Sequence, residues 1–390
     1  MNSCQPYLDF VRYALSPETE MPKGAECVDW EGLFCFANEH AIFGVVFEGV
    51  QRMGEQGVKP PLPLLMDWVA AVEEIEDRNR EVNRAAVKFL MQLRQDGFEG
   101  CILKGQGNNL MYPNAYSRMS GDIDVWVRKD GLLVGGYGLL MGKKSVEREV
   151  IRYVKERNPK ARALYHHIDY GDFEDIEVEM HYRPSFMFNP VHNGRLQKWF
   201  QDHAEQQFKH MAELPDGVGM IAVPDVEFNI VFQLSHIYNH VLHEGIGLRQ
   251  MIDYFFLLRS KNLGKSVEGL EGEDGLGLRV ESLEKVMRRL GLWKIAGAVM
   301  WVLHEVLGLE EQYLIASMDE RLGKVLLSEI MQGGNFGQYD EQNIRANNPI
   351  KKNWQRIRRD FRLMRYFPSE CLWEPAFRLY HFFWRTFVRV

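Results

Sequence analysis

The segment Ser120-Gly121-Asp122-Ile123-Asp124-Val125-Trp126-Val127 constrains this chain more than any other. Its apolar residues read as a buried β-strand, yet it carries two carboxylates two positions apart. Side chains alternate between the faces of a strand, so Asp122 and Asp124 project one way while Ile123 and Val125 project the other. One face packs on a core, and the opposite face must tolerate two like charges side by side. Such charges repel unless a cation lies between them. A hard divalent ion such as Mg2+, sharing its oxygen shell with a phosphate, fits that place. The strand therefore points to metal-assisted phosphoryl or nucleotidyl chemistry, while a plain acidic pair at an exposed strand end remains the alternative.

Three neighbouring features bear on that choice. The run Ile176-Glu177-Val178-Glu179-Met180-His181-Tyr182 alternates as a strand, with Glu177, Glu179 and His181 on one face. It pairs with residues 164–170 around a hairpin turn expected at Gly171-Asp172. If it lies beside the Asp122 strand, Glu179 completes a three-carboxylate site for one or two Mg2+ ions; an exposed hairpin face of alternating charge is the other reading. Leu103-Lys104-Gly105-Gln106-Gly107 follows a short buried strand. Its glycines let backbone N–H groups approach phosphate oxygens at the start of a short helix expected at 110–112, and Lys104 can neutralise a phosphate. A tight structural turn explains the same residues. Arg118 either binds phosphate, orients the acidic strand, or balances its charge.

The rest of the chain reads mainly as helix. Leu65, Trp68, Val69, Val72 and Ile75 recur at helical spacing, and the pattern continues through Val82, Ala86, Phe89, Leu90 and Leu93 until Gly97 caps it. Further helices are expected at 145–156, 228–243, 248–258, 280–290, 295–307 and 321–331. Gly131 to Gly142 is Gly-rich and unassigned, and residues 264–277 read as a loop. The implied fold is α+β: a small mixed sheet flanked by an N-terminal helical region over 1–95 and a C-terminal helical domain over 216–390. The sheet occupies 96–215.

At 390 residues and a formal net charge of −7, the chain is long enough for several cores and is no general nucleic-acid coating protein. Its five scattered cysteines are odd in number and form no C-x-x-C pair, which indicates neither a disulfide framework nor a structural zinc site and fits a reducing cytoplasm. No secretory leader or membrane span is expected. His236, His240 and His243 share one helix face, read as a polar groove before a zinc site. Arg249 and Asp253 read as a buried ion pair. The basic, aromatic tail from Lys351 onwards reads as a helix docking its rings on the core, with RNA or an anionic membrane surface as lesser readings.

The order Leu103-Lys104-Gly105, Tyr112-Pro113, Arg118, Gly121-Asp122-Ile123-Asp124 and Glu179-Met180-His181-Tyr182 resembles the uncharacterised bacterial nucleotidyltransferase family. That family is similar to the DNA polymerase β-type nucleotidyltransferases. The resemblance is strongest over about residues 98–183 and extends, more loosely, through Arg249-Gln250-Met251-Ile252-Asp253. It implies that Asp122, Asp124 and Glu179 bind Mg2+ (or Mn2+) and carry catalysis, and that Lys104, Gly105 and Arg118 bind the triphosphate of an NTP substrate. The acceptor is not implied. Two positions depart from the superfamily pattern: Gln106 stands where a serine is usual, and the third acid is glutamate. An inactive member that binds nucleotide or a partner is the competing expectation.

Overall fold

The computed structural model describes residues 4–21, 27–129, 145–243, 245–260, 283–334 and 349–388. The Gly-rich stretch 131–142 and the loop 264–277 lie outside them. The chain divides into two compact units that are interleaved in sequence. One comprises Met1–Arg78, Tyr112–Met119 and Ile237–Arg359; the other comprises Asn79–Met111, Ser120–His236 and Asp360–Val390.

The first unit is helical. It contains α1 (Gln5–Leu15), α2 (Trp30–Glu39), α3 (Phe43–Glu55), the first half of α4 (Leu62–Gln95) and a later helix over Leu248–Arg259. Asp29 starts α2 by accepting the Gly32 N–H on its side chain at 3.0 Å, which satisfies one of the amides orphaned at a helix start. Trp68 of α4 is fully buried, with the rings of Phe34 and Phe43 set edge-on at 5.0 and 5.1 Å. His40 ends α2 as a buried imidazole near the Phe36 ring, at 4.5 Å.

The second unit carries the sheet. Its strands are β1 (Glu99–Ile102), β2 (Ile123–Arg128), β3 (His167–Phe173) and β4 (Ile176–His181), in the order β1-β2-β4-β3. β2 runs parallel to β4, and the two outer pairs are antiparallel, so the sheet is mixed as expected. A short second hairpin joins β5 (Met211–Glu213) to β6 (Met220–Ala222). The sheet's apolar face collects Ile123, Val125 and Val127 from β2 with Ile176, Val178 and Met180 from β4. Phe89 and Leu93 of α4 cover it, with Val150 and Val154 of a helix over Val146–Arg157 that Ser145 caps. From the far end of the sequence, Trp384 inserts into the same core at 2% exposure.

Several local expectations shift. The 110–112 helix is instead one turn, α5 (Gln106–Asn109), because Gly105 takes φ +52° and starts it earlier; the capped helix over Val146–Arg157 is then α6. The hairpin turns at Glu174-Asp175, both left-handed at φ +50° and +63°, rather than at Gly171-Asp172. Paired positive φ values give the turn whose twist matches the strands. Gly171, at φ +98°, instead marks a register shift in β3. Gly97 does end α4: its N–H reaches Arg94 O and the Phe98 N–H reaches Leu93 O, the paired bonds of a left-handed helix end. Among the described residues, no helix is long and apolar enough to cross a membrane. All five cysteines are free thiols.

Two outcomes follow. Trp384→Ala removes a core side chain from outside the sheet's own sequence, and should lower the stability of the sheet unit by about 3–5 kcal/mol in denaturant unfolding. Burial lowers the His40 pKa from 6.5 to about 4, so between these values the unfolded chain binds the proton that the folded one refuses. His40 therefore leaves stability intact above about pH 6.5 and removes roughly 3 kcal/mol as the pH falls to 4. The pH dependence of stability across that range should flatten by about one proton in His40→Leu, as melting curves will read.

Candidate active site

The face of the sheet opposite its apolar core is built by register. Asp124 of β2 stands beside Glu179 of β4, and Glu179 stands beside Asp169 of β3. Three carboxylates from three strands therefore lie at one level. One level along, His181 of β4 stands beside His167 of β3. The adjacency needed for Glu179 to join the acidic strand is thus present, and it arises because a parallel β2–β4 pair aligns the two alternations without a slip.

Asp124 is 3% exposed and is held from two sides. The Lys104 ammonium lies 3.0 Å from Oδ2, and His181 Nε2 lies 2.9 Å from Oδ1. Burial alone would raise the carboxyl pKa, but the charge of Lys104 and the His181 hydrogen bond outweigh it and hold Asp124 far below the usual carboxylate range. Glu179 is likewise lowered against its burial, chiefly by His181, whose Nε2 is 3.3 Å from Oε2. Burial opposes the charge on His181 in turn, yet hydrogen bonds to Asp124 and Glu179 push its pKa up to about 9. Lys104 follows the same logic, with Asp124, Asp122 and Glu179 raising it against burial. The arrangement is a buried array of mutually compensating charges.

Asp122 precedes β2 and is half-buried; its carbonyl oxygen lies under Gly105, where an added Cβ would come within 3.5 Å. A side chain there would find ordinary van der Waals room, so it is the positive φ of +52° that favours glycine at this turn. The turn places Lys104 on Asp124 while Nζ also meets His236 Nε2 at 3.3 Å. Gln106 is fully buried, and neither amide atom finds a partner among the described residues. Asp124, Glu179 and His181 present ligand atoms within 4.8 Å of one another, a donor set that suits a divalent cation.

A model of the uncharacterised nucleotidyltransferase family matches residues 26–308. The chain belongs to that family. The match supports a general nucleotidyltransferase activity. No curated protein and no solved structure matches the chain.

The nucleotidyltransferase match covers parts of both units, and Arg118 belongs to the helical one. Its guanidinium is bidentate on Asp253, at 2.7 Å from Nε and 2.9 Å from Nη2, and Tyr112 donates to the same carboxylate at 2.5 Å. Arg249 reaches the Met119 carbonyl at 2.7 Å. Arg118 is the residue hydrogen-bonded to Asp253, an ion pair that a separation of 135 positions hides from local reading, and the charge of Arg249 also acts on that carboxylate. His167 and Asp169 were missed as site residues. Their two-residue spacing on a strand repeats the signal that singled out Asp122 and Asp124.

Removing one partner of a buried pair strands the other charge. Arg118→Ala should therefore cost the helical unit about 3–5 kcal/mol in thermal or denaturant unfolding, and a second change, Asp253→Asn, should restore part of that loss.

Proposed function

We propose that this chain transfers a nucleoside monophosphate from an NTP to an acceptor hydroxyl or phosphate and releases pyrophosphate. The observation that carries this reading is the alignment of Asp124 with Glu179 across a parallel strand pair, with the Lys104-Gly105 turn set against the same strand. Asp122, Asp124 and Glu179 would bind Mg2+ or Mn2+. The bound ions would neutralise the triphosphate and lower the charge barrier to attack.

The chain's own residues do the rest. Gly105 gives the turn its positive φ, and Lys104 supplies a fixed positive charge for the triphosphate. The acceptor oxygen bonds to the α-phosphorus as the bond from that phosphorus to the pyrophosphate oxygen breaks. The acceptor's proton passes to Glu179 or to solvent. Arg118, committed to Asp253, acts by shaping the helical unit.

A second reading has its own observation. Lys104 and His181 already balance Asp124, so a member that binds nucleotide or a partner without turnover would be stable with these residues. Calorimetric titration of each NTP with Mg2+ separates the outcomes. Nucleotidyl transfer expects metal-dependent binding, a weakening of about 10-fold or more in Asp122→Asn, and labelled product once an acceptor is supplied. Asp122 is the better first variant than Asp124, whose loss strands the Lys104 charge. No NTP binding by folded wild type would overturn the reading; metal-dependent binding with no product from any acceptor class would favour the inactive member.

A further inference from the structure

The carboxylate row is flanked by imidazoles that an all-oxygen Mg2+ site does not require. His181 Nε2 lies within 3.3 Å of both Asp124 and Glu179. His167 Nδ1 lies 3.5 Å from Glu179 Oε2, and its Nε2 lies 3.2 Å from Asp169 Oδ1. His166 Nε2 approaches His167 Nδ1 at 3.0 Å. Ligand atoms fall within 4.8 Å of one another in three overlapping groups: Asp124, Glu179 and His181; His167, Asp169 and Glu179; and His166, His167 and His181. Glu179 belongs to both carboxylate-bearing groups, and His167 and His181 each belong to two. The buried Nδ1 atoms of His166 and His181 have no hydrogen-bond partner among the described residues. Two ring nitrogens facing each other, and two more buried without partners, are a poor hydrogen-bond network and a good donor set.

Ligand softness then decides which ion the set prefers. Oxygen shells suit Mg2+, whereas imidazole suits zinc, iron and their neighbours, with carboxylate completing the shell. We propose that this face binds a first-row transition-metal dication through His166, His167 and His181, in preference to Mg2+. The inference goes beyond nucleotidyl transfer: this group shares His181 with Asp124 and Glu179 but contains no carboxylate of its own. His167 and His181 face each other on neighbouring strands and the His166 ring lies 5.4 Å from that of His181, so two of the three ligands come from the rigid sheet.

The test uses the full chain, stripped of metal, with Cys27 and Cys35 changed to Ser because those exposed thiols would bind the same ions. Co2+ is titrated in and followed by its visible absorption, then challenged with equimolar Zn2+ and with a ~100-fold excess of Mg2+. Displacement by Zn2+ but not by Mg2+ is expected. His167→Ala and His181→Ala should each weaken Zn2+ binding about 10-fold or more, while His203→Ala, an exposed imidazole of the same unit, should leave it unchanged. Should a histidine variant fail to fold, pulsed EPR of the Mn2+-loaded wild type reads the same point, since direct imidazole ligation gives nitrogen-14 coupling. Displacement of Co2+ by that excess of Mg2+, or no nitrogen coupling, would overturn the inference. If that happens while Mg2+-dependent NTP binding persists, the proposed function stands alone. Histidine-dependent Zn2+ binding with no NTP binding does the reverse: the metal preference holds and nucleotidyl transfer falls.

Discussion

The register of β2 against β4 is the constraint on which the sheet unit depends. A strand has a period of two, so one alignment sends Ile123, Val125, Val178 and Met180 into a common core and leaves Asp124, Glu179 and His181 together on the other face. A slip of one residue would bury two carboxylates against Phe89 and Val150 and expose the apolar set. The hydrophobic core therefore specifies the site. Mutating the core perturbs the charges, and no separate device is needed to bring the acids together.

That placement costs solvation, and the chain offsets it locally. Asp124 is buried as deeply as the apolar residues around it, and an isolated charge there would be prohibitive. Lys104 and His181 compensate it from opposite sides, one delivered by a glycine turn and the other by the neighbouring strand. A buried pair gives little net stability once desolvation is counted, so its value lies in fixing where the charges are. The same principle operates in the helical unit, where Arg118 and Tyr112 converge on Asp253.

Much of this was legible in the sequence because it rests on short periodicities. Alternation around Asp122 and Glu179 identified two strands and their polar faces, helical spacing carried α4 through to Leu93, and Gly97 marked its end. The α+β class followed from those elements. What was missed depended on single dihedral angles or on distant partners. Nothing in Glu174-Asp175 announces that both residues adopt left-handed conformations, whereas Gly171 beside them looked the better turn. Gly105 moved a helix by several residues through one positive φ. Trp384 lies far along the chain from the β4 strand it supports, and Asp253 is 135 positions from Arg118. The His167 and Asp169 pair was readable by the same rule as Asp122 and Asp124, but its value appears only when β3 is laid beside β4.

The imidazoles are also locked before any ligand arrives. Both the Tyr182 and Arg183 amides donate to the His166 carbonyl, at 3.0 and 3.1 Å, which pins the start of β3 to the end of β4. The Tyr182 hydroxyl donates to the carbonyls of Leu164 and His167. Arg183 then joins the Tyr165 carbonyl at 2.7 Å to the buried Glu147 of α6 at 2.6 Å. Each bond acts on backbone or on a neighbour of a histidine and leaves the imidazole rings themselves uncommitted to it. A donor set held this way loses little ordering entropy when it takes a ligand, because the strands and their cross-links have already fixed it. The residues just past β4, which alternation alone would assign to the strand's frayed end, are therefore what hold His166 beside His181 and His167 beside Glu179.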